Sequence, residues 1–131
     1  MKKSYLDDYT LLLIKDDEIL YKSQKKWLYP TWECINKFGG RISDCILYDR
    51  IIGLAAAKLI SHSGIASEIY SPKVSRDAIG FLQDSMIELT FENEFKYIEK
   101  EPGAGRCEAE EIALKMKPDE FYEYMKTNFF N

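Results

Sequence analysis

Histidine is nearly absent: His62 is the only one in 131 residues, and the three cysteines, Cys34, Cys45 and Cys107, form no close pair. An odd, scattered set of thiols excludes a disulfide framework and a local zinc knuckle, so reduced thiols are expected. Long hydrophobic runs are missing too. Behind Met1-Lys2-Lys3 the apolar stretch Leu11 to Ile14 is too short for a signal-peptide core or a membrane span, which predicts a cytoplasmic chain with no membrane partner. There is no excess of positive charge: the net charge is −4, and the one basic cluster is Lys22 with Lys25-Lys26-Trp27. That cluster reads as a solvated hairpin rim, and nucleic acid is not expected as a partner.

What is present suits one compact domain. At 46% hydrophobic and 31% charged residues, the chain has enough apolar material for a core of its own. The expected domain spans residues 1–131, with a core over about 9–116 and an aromatic C-terminal helix over about 119–129. The expected fold class is α/β: a three-layer α/β/α sandwich on a mixed, mostly parallel five-stranded sheet opened by a β-hairpin.

The order of elements carries that expectation. Tyr9 to Lys15 and Glu18 to Lys22 are β-prone runs joined by Asp16-Asp17, a turn pair. Pro30 suits a first helical turn, Trp32, Ile35 and Phe38 follow at helical spacing, and Gly39-Gly40 ends the helix. Ile42 to Tyr48 reads as a buried strand running directly into a helix from Asp49 to His62 that Ser63-Gly64 closes. Gly53 and Ala55 to Ala57 let that helix lie close to the sheet. A strand Glu68 to Ser71, a helix from Ser75 to Asp84 capped by Ser75, and a strand Met86 to Phe91 follow. Alternation of this kind implies right-handed crossovers with helices on both faces. Beyond it come a short strand Phe95 to Ile98, a Pro-Gly loop at 101–105, a helix Cys107 to Met116, and a last helix whose Phe121, Tyr124, Met125 and Phe129 share a face.

Candidate chemistry gathers at two places. Asp49, at a strand-to-helix junction, caps the first-turn amides and faces the cleft at the carboxyl end of the sheet, where open α/β folds bind ligands. It is a ligand contact or a base, or a cap that binds nothing. Cys107 opens a helix after a glycine loop, a setting for an exposed nucleophilic thiol, though a free cysteine also serves as packing. Gly103-Ala104-Gly105 could turn amides toward an anion with Arg106 adding charge, or could form a tight turn. Glu108, Glu110 and Glu111 favour a helix amino end and repel a phosphate placed nearby; their expected job is solvation and dipole compensation.

Asp49-Arg50-Ile51-Ile52-Gly53-Leu54-Ala55-Ala56-Ala57, the later Gly-Ile and Val-Ser punctuation, and Gly105-Arg106-Cys107-Glu108-Ala109-Glu110 occur in register. On these residues the chain resembles the DUF1893 family over about residues 9 to 114. The family pattern has Asp-Lys at the first piece and Cys-Pro-Met-Glu at the second; this chain has Arg50 for the lysine and Glu108 and Ala109 for the proline and methionine. The resemblance implies a fold similar to cytidine deaminase, without an established activity. Zinc deaminases carry His or Cys with a catalytic Glu on one helix and Pro-Cys-x-x-Cys on the next, and neither string is here. His62, thirteen residues after Asp49, lies about 20 Å along a regular helix and cannot complete a site at its start.

Three readings follow. The first is a deaminase-like protein without zinc that holds a nucleotide or similar small anionic ligand through Asp49, Arg50, Gly53, Gly103, Gly105, Arg106 and Cys107, with no metal or other cofactor. The second is a metal-independent enzyme on a nucleoside-like substrate, with Cys107 as nucleophile and Asp49 moving the proton. The third is an interaction subunit using its aromatic C-terminal helix, which could also form a homodimer.

Overall fold

The computed structural model describes residues 4–131. Asp16 and Asp17 both adopt the left-handed backbone, φ 51° and 65°, the geometry that lets a two-residue turn follow the twist of its strands. They join β1 (Leu11–Lys15) to β2 (Glu18–Ser23) in the expected antiparallel hairpin. β1 pairs antiparallel on its other edge with β3 (Cys45–Asp49), Leu11 opposite Asp49. β5 (Ala66–Ser75) runs parallel to β3, and β6 (Glu88–Phe95) runs parallel along β5.

The two-residue β4 (Ile51–Ile52) also pairs with β5. Because β6 occupies one side of β5 throughout, β3 and β4 share the other. Their offset is the same: Tyr48 faces Tyr70 and Ile51 faces Lys73. The six-stranded sheet therefore has five rows, one of them a strand interrupted at Arg50. Leu47 and Ile52 both reach the helical core although five residues apart, as do Ile69 and Val74, so both neighbouring strands change pleat at the same level. Pro72, which has no N–H to donate, falls opposite Arg50, where the neighbour is already broken.

α2 (Tyr29–Phe38), α3 (Leu54–Ser63) and α4 (Arg76–Gln83) all pack on one face of the sheet, against Leu11, Leu13, Leu47 and Ile69. Right-handed crossovers that step steadily in one direction along a sheet require this. On the other face Leu12, Ile14, Tyr48 and Tyr70 are covered by Leu6 and Tyr5 of α1, the single turn Tyr5–Asp8. The layers are three, but unequal.

α3 is apolar nearly all round, with Leu54, Ala55, Ala56, Ala57, Leu59 and Ile60 buried. α6 (Pro118–Asn128) packs on it and buries Phe121 and Met125 completely, about 1.5–3 kcal/mol of apolar transfer for each. The aromatic face of the last helix is spent on its own chain.

Several expected boundaries move. The helix after β3 begins at Leu54, not Asp49; β5 is ten residues long rather than four; β6 replaces two short strands; and the helix expected at Cys107 to Met116 is α5, Glu108–Ala113. Ser75 caps α4 as expected, its Oγ accepting the Ala78 amide at 3.2 Å.

Candidate functional site

Asp49 ends β3 with its carboxyl turned under the helices, 7% exposed. It is one wall of a partly open cavity of about 130 Å³. Thr31 of α2, Gly53 before α3, Cys107 before α5 and Glu110 of α5 are its other polar or small walls, with Trp27 and Ile51 also lining it. Asp49 and Cys107 thus share one space. A broader and more open hollow of about 630 Å³ lies by Leu6, Arg50, Tyr70 and Lys73 on the α1 side of the sheet, with Asp7 and Glu92 also on its walls.

Asp49 is not the helix cap that its sequence position indicates, because the interruption at Arg50, β4 and Gly53 stand between it and α3. Its Oδ1 accepts the Ile51 amide at 3.3 Å. Burial pushes the carboxyl up to about 8, against a smaller downward pull from the Ile51 and Arg50 amides. No cation or other side chain stands among the causes that set this acidity. A group with such a value holds its proton in neutral solution and can either donate a hydrogen bond or exchange that proton.

The cap of α3 comes from elsewhere. Glu110, 3% exposed, accepts the Leu54 amide on Oε1 and the Ala55 amide on Oε2, each at 2.8 Å. A carboxylate across two free first-turn amides satisfies donors that the helix cannot. Burial raises its pKa, while the two amides and Arg106 oppose that rise. This corrects the expectation that Glu110 is a solvated residue compensating its own helix. Gly53 makes the approach possible. A Cβ there would lie 2.7 Å from Glu110 Cδ and 2.6 Å from Ile98 Cδ1, so the glycine serves close contact with Glu110, with its φ of −100° open to any residue.

The remaining expected ligand contacts point away. Arg50 donates from Nε to the Leu6 carbonyl at 2.7 Å and from Nη2 to the Asp7 carbonyl at 3.0 Å, tying α1 to the opposite face. Arg106 pairs with Asp77 at 3.0 Å and lies over the Tyr97 ring at 4.7 Å. Gly103 and Gly105 take φ 79° and 88° in a tight hairpin. In that hairpin Lys100 N–H donates to the Gly105 carbonyl at 3.0 Å, and the Gly103 N–H is taken by Glu99 at 3.2 Å. The loop is a turn, not an anion cradle. Its product is position: Cys107 N–H donates to the Ile98 carbonyl at 2.7 Å, bringing the thiol to the cavity.

The donor set does not fit zinc. Cys34 and Cys45 are fully buried, with burial pushing Cys34 up to about 12 and Cys45 upward as well. His62 Nδ1 sits 2.7 Å from Asp119 and its ring stacks on Tyr122 at 4.4 Å. Among the described residues no group of three or more His, Cys, Asp or Glu is placed to hold a metal ion, and no helix is long and apolar enough to cross a membrane.

Trp27, 43% exposed, holds a left-handed φ of 59°, a conformation that costs a non-glycine residue about 1–3 kcal/mol. Its ring stacks on Phe130 at 5.7 Å, and Phe130 stacks on Trp32 at 4.5 Å. Trp32 stacks in turn on Tyr122 at 5.0 Å. The end of the chain is thereby fastened beside the cavity wall.

The family model described as Domain of unknown function (DUF1893), TM1506, matches residues 2–129. The crystal structure of a DUF1893 family protein (TM1506) from Thermotoga maritima at 2.70 Å resolution is similar, with a TM-score of 0.85 at 19% identity, over 98% of this chain and 86% of that one. At that identity the likeness shows a shared fold. No curated protein matches the chain.

Proposed function

The chain belongs to the DUF1893 family, a domain family of unknown function, and on the geometry of its cavity we propose that it binds a small nucleoside- or nucleotide-like molecule between Asp49 and Cys107. One observation carries the reading: a buried acid with no cation beside it borders a small pocket that it shares with a thiol and a second carboxyl. Such an acid weakens the fold relative to an apolar residue of its size, and groups of that kind concentrate at sites of binding or chemistry. The space of about 130 Å³ is well below the 300–1,000 Å³ that takes up a whole drug-sized ligand. One ring or polar end enters, and the remainder lies outside along Trp27 and Ile51.

Titration of the labelled protein with cytidine and adenosine, followed by amide NMR, tests this. The expected result is saturable movement of the Thr31, Ile51 and Cys107 signals, with affinity weakened by about 1–3 kcal/mol in Asp49→Ala. Movement confined to other surfaces would sink the proposal.

A second reading is supported by Asp49 and Cys107 lining one cavity. In it the Cys107 sulfur adds to the carbon of a carbon–nitrogen double bond, the π pair goes to the nitrogen with the Asp49 proton, and the thiol's proton replaces it on Asp49, since His62 is engaged by Asp119 and Tyr122. Iodoacetamide applied to the folded protein should label Cys107 alone, because Cys34 and Cys45 are buried. Mass spectrometry showing no adduct, or equal labelling of all three thiols, removes this reading.

A further inference from the structure

The lining of the cavity carries no positive group. Asp49 and Glu110 are both carboxyls, Thr31 and Cys107 are neutral, and no lysine or arginine lines the space. The two arginines closest in sequence to these walls are committed elsewhere, Arg50 to the Leu6 and Asp7 carbonyls and Arg106 to Asp77. Of the helix starts that border the cavity, that of α3 is already occupied by both oxygens of Glu110, while those of α2 and α5 reach it only through Leu28, Thr31 and Cys107. Both arginines and the α3 amino end, the features that would most attract a carboxylate or phosphate, are therefore turned away or filled from within. Asp49, by contrast, has no side-chain partner, and its known contacts are the amides of Ile51 and Arg50.

Resting on the binding reading above, we propose that the group received by this cavity is a planar hydrogen-bond donor of the amidine or amino-heterocycle kind, paired to the Asp49 carboxyl, and that anions are rejected. A flat group with two N–H donors matches the two oxygens of a carboxylate, and that pairing is the strong, geometrically specific form of a charge-assisted hydrogen bond. Any phosphate on the same molecule stays outside, because it would meet the Glu110 carboxylate at close range in a setting poor in water.

Benzamidine and benzoate separate the cases, since they share a ring and differ in the sign and donor character of the head group. Benzamidine should move the Ile51 and Cys107 amide signals saturably, and Asp49→Asn should weaken it by at least about tenfold. Benzoate should leave those signals still. The groups facing Asp49 are Cys34 from α2, and Cys107 and Glu110 from the α5 segment. Asp49 must lose its proton to pair with a cation, so benzamidine should bind more tightly at about pH 8 than at about pH 6. Equal or tighter binding of benzoate at the same residues would overturn the ligand class while leaving the cavity a binding site. Benzamidine that moves no cavity signal, or that binds Asp49→Asn as well as the native chain, would overturn the class outright. The binding reading itself is decided by the nucleoside titration.

Discussion

Asp49 enters the folded chain with an energy that depends on pH. Its carboxyl titrates near 3.8 when unperturbed and is pushed up to about 8 by burial. The folded state therefore keeps a proton that the unfolded chain has already released, and stability falls as pH climbs from about 4 to about 8, then levels off. Asp49→Asn has no proton to lose. The variant should gain on the native chain by up to about 1.4 kcal/mol for each pH unit in that window, read as the difference between urea midpoints at several pH values. A gap that stays constant with pH would mean that Asp49 is ionised in the fold. Residue type alone pointed to Asp49 and to Cys107, because few side chains carry chemistry and these two stand at element ends. It could not show that Asp49 is buried without a cap to form, since that follows from the break in its strand.

That break belongs to the elements. Ile51-Ile52 looks like the opening of the helix because apolar residues continue on both sides of it, yet the pairing with Lys73 and Val74 holds the segment extended. The Asp16-Asp17 turn, the helix at Pro30 and the Ser75 cap were legible because each signal sits inside its own element. The cap on α3 was not legible, since its acceptor, Glu110, is more than fifty residues from the amides it binds and no local spacing encodes it. Removing it is a test of the element. Glu110→Ala should cost about 2–3 kcal/mol by leaving two amides unsatisfied in a buried place. Gly53→Ala should cost about 1–3 kcal/mol by driving a Cβ into the same carboxyl. The double variant should cost less than the two single losses together, because the methyl then has room where the carboxyl was. Strict additivity in denaturant unfolding would separate Gly53 from Glu110.

For the molecule as a whole, the strand order and the one-sided arrangement of helices follow from a regular sequence of crossovers, and alternating periodicity in the chain was enough to forecast the α/β class. The uneven layers were beyond it, because the face a helix takes depends on the direction in which successive strands are added. The aromatic residues at the carboxyl end have a last consequence. The chain has two tryptophans. Trp27 lines the cavity and Trp32 is joined to it through Phe130. All tryptophan emission thus originates in one stack of rings beside one opening, so the protein has a built-in optical probe there: a molecule settling at that opening would alter the native fluorescence without any dye, label or substitution.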